Sequence, residues 1–452
     1  MEDKDESLLS GSLGHFWEDV RLGKSPGGKS SGFLKRLDDG NIQLDYFLDE
    51  DSAWRDRHVL PKCIYGATVN GHVLLLDLVH SMVTRRTHGL PSVRTQTAGT
   101  AILGALPEHV KMDAVTSASV FFPGITQWAG LQTVSEVPQN DDEGRGKSVT
   151  LHVEAAPQQE CRISQGRTIS ITSHWKLGGS DDDRSIFAPV ALECSARRAK
   201  AFRDLLGPLV QIQDILNIAY AGFVPARGGR VRFAVGERPL VHPRVWSARI
   251  MQVPVGVATP KSMTAMPMFS LEHIGGIRGL ARWVNYCDQV PRVHRALSLG
   301  HRIGMANVEA RFLEVASAIE YWVASQDQAG LKWAQEKRRP LALANRVGKD
   351  FTAWVGDPED WDSVFAGTYN AVKHDPKFAP DPYALNYLAG SGWLLLLSAV
   401  LNRTSGAKLP GKVIFGSHRN SDLGRKIREL LSDPNALVNR RETPRRRRRR
   451  RA

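Results

Sequence analysis

The sequence is poor in cysteine and has no long apolar run. Its four cysteines (Cys63, Cys161, Cys194 and Cys287) lie far apart and include no C-x-x-C pair. A disulfide scaffold and a zinc ribbon are therefore disfavoured, and reduced thiols of a cytoplasmic protein are expected. The longest apolar stretch is centred on Trp393 to Leu397, far below the ~18–20 residues of a membrane span. We expect no contact with a membrane.

Targeting and repeat signals are also missing. The first seven residues are acidic and lack the apolar segment of a secretory signal. No repeat of about 20–50 residues is visible. The composition, with 42% hydrophobic and 24% charged residues, is that of a globular protein. At about 100–200 residues per domain, the 452 residues predict two or three domains in a cytoplasmic protein.

Positive charge is concentrated at the C-terminus. The chain has a net charge of +13, of which nine arginines and one glutamate in residues 440–452 supply +8. The remaining body is only mildly basic. Because seven adjacent guanidinium groups at Arg445–Arg451 repel one another, we expect this run to be disordered. It could bind RNA or DNA nonspecifically, or be only a solvated end.

The first half of the chain has the pattern of a β-rich domain. Apolar residues alternate after the turn signals Asp39-Gly40 and Asn70-Gly71. Loops are expected over 138–146 and 178–184, and one helix at about 196–221. We place a disordered N-terminus at residues 1–13 and the β-rich domain at 14–260. The predicted strands contain Ile42–Leu48, Val73–Leu76, Val149–Val153, Ile169–Ile171, Val231–Ala234 and Val245–Val255.

The second half changes to a helical period. An apolar stripe over Phe312–Val323 predicts one helix, and a second is expected to open at Pro340 and run to Val355. Asp357 and Asp381 each precede a proline, as N-caps do, and predict two further helices, the last ending near Asn402. Four such helices form an antiparallel bundle.

The bundle is assigned to residues 270–405. Beyond it, residues 410–452 are expected to form a basic, largely disordered tail with one amphipathic piece at Leu423–Leu431. The fold class is therefore α+β with two domains: an N-terminal β-rich domain and a C-terminal all-α helical bundle.

A literal phosphate-loop pattern, G-x-x-x-x-G-K-S, occupies Gly23 to Ser30. Such a loop cradles phosphate only when a strand feeds it and a helix leaves it. Here the Asp39-Gly40 hairpin follows too soon to leave room for that helix. Nucleotide hydrolysis is the disfavoured alternative, and would show as ATP or GTP binding lost in Lys29→Ala.

The helix that follows Asp357 carries the strongest candidate site. Asn370 and His374 are four residues apart and share a face with Gly367, which would let a second helix approach. An imidazole titrates near neutral pH and could cleave RNA through its own 2′-hydroxyl without a metal or cofactor. His374 could equally be a histidine that closes the helix C-terminus. On spacing alone the second interpretation is favoured.

The two halves together resemble a known family. The segment Arg311 to Tyr321 is similar to the first long helix of Apea-like HEPN domains, and Tyr369-Asn-Ala-Val-Lys-His374 is similar to the HEPN signature of an Arg, a polar residue and a His. The N-terminal half resembles the ApeA N-terminal β-rich domain, on the motifs Gly32-Phe-Leu, Asp39-Gly-Asn-Ile-Gln-Leu, Ile64-Tyr-Gly and Gly71-His-Val-Leu-Leu-Leu. The resemblance covers roughly residues 14 to 405.

The resemblance implies an antiphage defence protein that cleaves RNA, with tRNA as the expected target, when a phage-derived trigger reaches the N-terminal domain. HEPN nucleases act as homodimers or higher homo-oligomers, and such a toxin would cause abortive infection. His374 would be the general acid and base, and Asn370 would orient it or the ribose. Tyr369 stands where the family has Arg, so the anion site depends on another cation, such as Lys373 or Arg346. The alternative is a non-catalytic HEPN module that dimerises and binds RNA or a phage component.

Overall fold

A computed structural model describes most of the chain. The chain divides into two units, Met1–Met266 and Pro267–Ala452. The α+β, two-domain fold class is confirmed, because the first unit is β-rich and the second is helical. The described residues are 3–18, 29–48, 60–84, 92–107, 115–173, 176–179, 184–187, 190–234, 242–262, 266–304, 307–433 and 437.

The first unit contains sixteen strands among its described residues. In chain order they are β1 (Ser12–Glu18), β2 (Ser30–Arg36), β3 (Ile42–Leu48), β4 (Ile64–Thr68), β5 (Gly71–Thr84), β6 (Ser92–Leu103), β7 (Val115–Phe121), β8 (Val134–Asn140), β9 (Gly146–Val153), β10 (Gln159–Ile163), β11 (Arg167–Ser173), β12 (Lys176–Gly179), β13 (Arg184–Phe187), β14 (Val190–Lys200), β15 (Gly228–Phe233) and β16 (Arg244–Ser247). The described residues of this unit also form four α-helices: α1 (Asp3–Ser10), α2 (Ile125–Ala129), α3 (Phe202–Tyr220) and α4 (Ala248–Met251).

Six of these strands close into a barrel. Their order is β1-β2-β3-β6-β5-β4, and closure follows because β5 pairs with β6 as well as with β4. Both predicted hairpin turns are confirmed: Gly40 (φ +79°) joins β2 to β3 and Gly71 (φ +136°) joins β4 to β5. Alternate residues of β3, such as Ile42 and Leu44, are fully buried in the barrel core.

The disordered N-terminus expected over residues 1–13 is wrong for the residues that the structure describes. Residues 3–10 form α1, and β1 begins at Ser12. Leu8 and Leu9 are 3% and 2% exposed and belong to the barrel core. The sequence did not predict this role, because two adjacent leucines in a mostly charged segment form no periodic apolar pattern.

The remaining sheet continues from β6 through β16, β15, β7, β14 and β11 to β10. Helix α3 has an almost wholly buried sequence and packs on β14 and β7. It begins at Phe202, later than expected, because residues 196–200 still belong to β14. The strand predicted over 245–255 is wrong beyond Ser247, where α4 replaces it.

The expected loops are also shorter than predicted. Pro138–Asn140 lies within β8 and Gly146 opens β9, so the two strands form an exposed hairpin with a turn over 141–145. Gly178 and Gly179 belong to β12 and Arg184 opens β13. Of the phosphate-loop pattern, residues 23–28 lie outside the described part of the chain. Ser30 begins strand β2, where such a loop requires a helix.

The described residues of the second unit are mainly helical. Its helices are α5 (Gly276–Gln289), α6 (Pro291–Ser298), α7 (Gly300–Ile303), α8 (Val308–Gln328), α9 (Arg339–Val347), α10 (Lys349–Val355), α11 (Pro358–His374), α12 (Pro382–Ser405), α13 (Leu409–Gly416) and α14 (His418–Ser432), with a 3₁₀ turn at Lys332–Gln335.

Helix α12 is the centre of this unit. It is long and apolar enough to cross a membrane, but 78% of its most apolar window is buried inside the protein, which is typical of a core helix. It packs against α5, α8, α9, α13 and α14. Gly392 allows a close approach to α11, since a Cβ at this position would lie 2.7 Å from Cε2 of Phe365.

Two expectations about this unit are corrected. The helix predicted from Pro340 to Val355 is broken at Gly348, whose φ of +88° is accessible to glycine and ends α9. The tail predicted to be largely disordered from residue 410 instead forms α13 and α14, which reach Ser432. Ile414 and Ile427 are fully buried there, so apolar contacts stabilise both helices. The arginine run lies outside the described residues.

Candidate functional site

Helix α11 presents the candidate site, and its start and buried face are set locally. Oδ1 of Asp357 accepts a hydrogen bond from the Glu359 N–H at 2.7 Å and caps the helix as predicted. On the buried face, the rings of Trp361 and Phe365 stack with centroids 4.7 Å apart. The indole Nε1 of Trp361 donates to Oγ of Ser391 at 2.9 Å. These contacts fix which side of α11 is exposed.

The opposite face carries the predicted site residues. Gly367, Asn370 and His374 are all exposed, and they lie at successive positions along this face. A Cβ added at Gly367 would meet no atom within 4 Å, so the surface there is open. His374 is the last residue of α11. Among the described residues, the side chains of Asn370 and His374 form no hydrogen bond to one another or to a neighbour, so both are available to a ligand.

Tyr369 and Lys373 lie beside this face and contact each other. The Lys373 Nζ is 5.5 Å from the centroid of the half-buried Tyr369 ring. Such a cation–π contact at an exposed site contributes about 0.5–1 kcal/mol. Lys373 is one helical turn after Tyr369, and this contact holds its ammonium group against the face of the Tyr369 ring.

A cavity of about 500 Å³ adjoins Tyr369 and Asn370. Three consecutive cations, Lys337, Arg338 and Arg339, line it from the segment that opens α9. The other lining residues belong to α8, α9 and α11: Ala316, Glu320, Pro340, Asp362, Ser363, Phe365 and Ala366. The polar part of the candidate motif therefore borders a basic cavity.

An ion pair holds the basic segment against α11. The Nε of Arg338 donates to Oδ2 of Asp362 at 2.6 Å, and the side chain of Asp362 is only 3% exposed. The other carboxylate oxygen of Asp362 accepts the Leu341 N–H at 3.1 Å and so caps α9. The hydrogen bond to Asp362 raises the pKa of the Arg338 guanidinium further above its usual value. Arg338 is thus a tether.

Within the described part of the chain, Lys337 and Arg339, the other two cations of the segment, do not pair with a carboxylate as Arg338 does. Of the two carboxylates in the lining, Asp362 is paired with Arg338, which leaves Glu320. The cavity therefore has an excess of positive charge beside Asn370, which favours an anion such as phosphate.

Arg346, named above as one substitute for the missing motif Arg, lies elsewhere. It lines a second cavity and its guanidinium carbon is 5.8 Å from the centroid of the Trp333 ring. It is not among the residues that line the cavity at Tyr369. The run Lys337-Arg-Arg339 is not among the residues predicted for the site, although three cations directly before a helix-opening proline are a visible signal in the sequence.

No cluster of three or more His, Cys, Asp or Glu side chains able to hold a metal occurs among the described residues. None of the four cysteines forms a disulfide with another described residue. Burial raises the pKa of the Cys194 thiol to about 12, which makes it a poor nucleophile.

Comparison with known proteins bears on the first unit. The family model described as ApeA N-terminal domain 1 matches residues 12–283, more than half of the chain. The match spans the barrel, the continuing sheet and the start of the helical unit. No curated protein and no solved structure gave a match.

Proposed function

The chain belongs to the ApeA family, an antiphage defence family, and from that premise we propose that its helical unit is a HEPN-type, metal-independent endoribonuclease. The observation that carries the proposal is the exposed face of Asn370 and His374 next to the basic cavity. Within the described residues, His374 lies on the same helix as Asn370, and Asn370 borders the cavity that the unpaired cations Lys337 and Arg339 line from the start of α9.

The cleavage would use the RNA's own 2′-hydroxyl as nucleophile. The 2′-oxygen attacks the adjacent phosphorus while the bond from phosphorus to the 5′-oxygen breaks, which leaves a 2′,3′-cyclic phosphate and a 5′-hydroxyl. An imidazole at His374 takes the proton from the 2′-hydroxyl. Protonating the leaving 5′-oxygen requires a second acid, which a dimer would supply as the same histidine of a second copy of this chain.

Developing negative charge on the phosphate needs fixed cations. Lys337 and Arg339 would supply them in place of the motif Arg, whose position Tyr369 occupies. Asn370 borders both the cavity and the His374 face, and its amide would orient the ribose or the imidazole. Arg338 would act only by holding its neighbours in place through Asp362.

The open surface around Gly367 supports a dimer through this face, since apart from its chain neighbours and its own helix backbone no described residue lies within 4 Å of a Cβ placed at Gly367. The proposed partners are RNA, with tRNA the expected target, and a second copy of the chain. The N-terminal unit would sense a phage-derived trigger in the cytoplasm and release the nuclease, which would halt the infected cell.

The test is to map new RNA 3′ ends, especially in tRNA, in phage-infected cells. Cells expressing the wild type should show new ends that carry cyclic phosphate, and cells expressing His374→Ala should show none. His418→Ala is the matched control, because His418 is also exposed and lies in another helix. New ends that persist in His374→Ala would overturn the assignment.

The second candidate is a non-catalytic HEPN module that dimerises and binds RNA or a phage component. Tyr369 favours it, because a phenol does not supply the fixed positive charge of a guanidinium. On this hypothesis His374→Ala protects cells from phage as well as the wild type does, and neither strain shows new RNA ends.

A further inference from the structure

The helical unit contains a second cavity, and its lining residues have no role in the proposed RNA cleavage. Its volume is about 410 Å³, within the range of about 300–1,000 Å³ typical of small-molecule sites. It is formed by α8, the 3₁₀ turn that follows α8, α9, the end of α12 and the loop that precedes α13. The lining residues are Trp322, Leu331, Trp333, Arg346, Val347, Ala399, Asn402, Arg403, Gly406, Ala407 and Lys408.

Three cations from separate segments converge on this cavity. Arg346 lies on α9, Arg403 near the end of α12, and Lys408 directly before α13. No carboxylate is among the lining residues, and none of the three forms an ion pair within the described part of the chain. Like charges brought together repel one another, so an anionic ligand would relieve an unfavourable arrangement.

Two of these cations have defined positions. Nη1 of Arg403 donates to Oε1 of Gln326 at 2.6 Å, a neutral partner that orients the guanidinium without cancelling its charge. The Nζ of Lys408 lies 3.5 Å from where a Cβ at Gly348 would stand. The ammonium group therefore lies in ordinary contact distance of the break between α9 and α10, beside the cavity.

An aromatic wall completes the site. Trp322 is 2% exposed, and its ring centroid is 5.6 Å from that of the half-buried Trp333. The guanidinium of Arg346 lies 5.8 Å from the Trp333 centroid. The buried Trp322 indole packs against the half-buried Trp333 indole, so Trp333 offers a rigid surface on which a planar base can stack.

We propose that this cavity binds a nucleotide. Its phosphates would contact Arg346, Arg403 and Lys408, and its base would stack on Trp333. An indole next to three unpaired cations matches both halves of a nucleoside phosphate, whereas a purely inorganic anion would leave the indoles unused. The inference does not depend on whether the His374 face cleaves RNA.

The test is isothermal titration of the purified full-length chain with ATP, GTP, CTP, UTP and inorganic tripolyphosphate. At least one nucleotide should bind more tightly than tripolyphosphate by about fivefold or more, the contribution of one stacked base. Arg346→Ala and Lys408→Ala should each weaken nucleotide binding about tenfold, since each removes a charge-assisted contact. Trp333→Leu should abolish the preference for nucleotide over tripolyphosphate, and Trp333→Phe should keep it.

Two control variants locate the site. Lys412→Ala removes an exposed charge from α13 outside the cavity and should bind as the wild type does. Lys29→Ala should also bind normally. Binding lost in Lys29→Ala but kept in Arg346→Ala would overturn the proposal in favour of the phosphate-loop segment. Absence of binding by all four nucleotides, or equal binding of tripolyphosphate, would overturn it as well.

Discussion

The Arg338 guanidinium donates to the buried Asp362 carboxylate at 2.6 Å and so joins the segment before α9 to helix α11. The same carboxylate accepts the Leu341 N–H and caps α9. One buried acid thus holds Lys337 and Arg339 at the cavity that borders Tyr369 and Asn370. The geometry of the proposed phosphate site therefore depends on the Asp362 carboxylate.

Loss of the cap should reduce stability. We expect Asp362→Ala to lower the free energy of unfolding by about 1–3 kcal/mol, because the Leu341 N–H loses its acceptor and remains buried. Urea denaturation followed by circular dichroism measures the change. Asp360→Ala, at an exposed position of the same helix, should change the free energy of unfolding by no more than about 0.5 kcal/mol. Equal effects of the two variants would contradict the role of Asp362.

The cavity cations should affect cleavage without affecting the fold. Lys337→Ala and Arg339→Ala should each lower the rate of RNA cleavage by about 10- to 100-fold, the effect of removing a fixed donor from developing charge. The melting temperature should stay unchanged, since neither side chain is tethered to a carboxylate. Lys349→Ala, an exposed lysine at the start of α10, is the control and should cleave normally. Cleavage retained in Lys337→Ala and Arg339→Ala would show that the cavity is not the anion site.

Tyr369 can be tested by restoring the residue of the motif. We expect Tyr369→Arg to raise the cleavage rate by at least about tenfold, because it adds a guanidinium at the edge of the basic cavity. Tyr369→Phe should leave the rate unchanged if the phenol donates nothing to the reaction. Tyr383→Arg, at a residue 72% exposed in α12, controls for added charge. A lower rate in Tyr369→Arg than in the wild type would contradict this account.

The barrel contains a charged cluster that should contribute to stability. Nη1 of Arg94 lies 2.9 Å from Oε1 of Glu18, which also accepts a hydrogen bond from the Tyr46 hydroxyl. The side chains of Arg94 and Glu18 are 11% and 25% exposed, so Arg94→Met leaves a partly buried Glu18 carboxylate without its cation and should cost about 1–3 kcal/mol of unfolding free energy. Arg145→Met, at an exposed turn, should cost much less. Thermal denaturation of both variants makes the comparison.

The same cluster predicts a dependence on high pH. Burial, and then the charge of Glu18, raise the pKa of Tyr46 above its usual value of about 10. The unfolded chain therefore loses this proton first, and the contribution of Tyr46 to stability is complete below about pH 10 and is lost as the pH rises above it. Urea denaturation at about pH 8 and pH 10.5 should show the decrease, and Tyr46→Phe should reduce it. An equal decrease in both proteins would assign it to other groups.

The sequence alone predicted the strands, turns and helix starts that depend on interactions between neighbouring residues. The alternation in β3, the turns at Gly40 and Gly71, and the caps at Asp357 and Asp381 all involve residues within a few positions of one another. The division into a β-rich and a helical half followed from the change of hydrophobic period, and the exposed face of α11 followed from its helical spacing. Whether that face is catalytic stays a prediction.

Tertiary structure decided the features that join distant residues. Arg94 and Glu18 are 76 positions apart in the sequence, and Arg338 and Asp362 are 24 apart. The barrel closes only because β5 pairs with β6. Leu8 and Leu9 are core residues through contacts that no periodic pattern announces. Arg338, which is paired, and Arg339, which forms no ion pair among the described residues, are adjacent arginines that the sequence does not distinguish. Only the position of the buried Asp362 carboxylate shows which of the two forms the ion pair. The sequence determined which residues carry charge and apolar surface, whereas the packing of the helices determined which of those charges are left for a ligand.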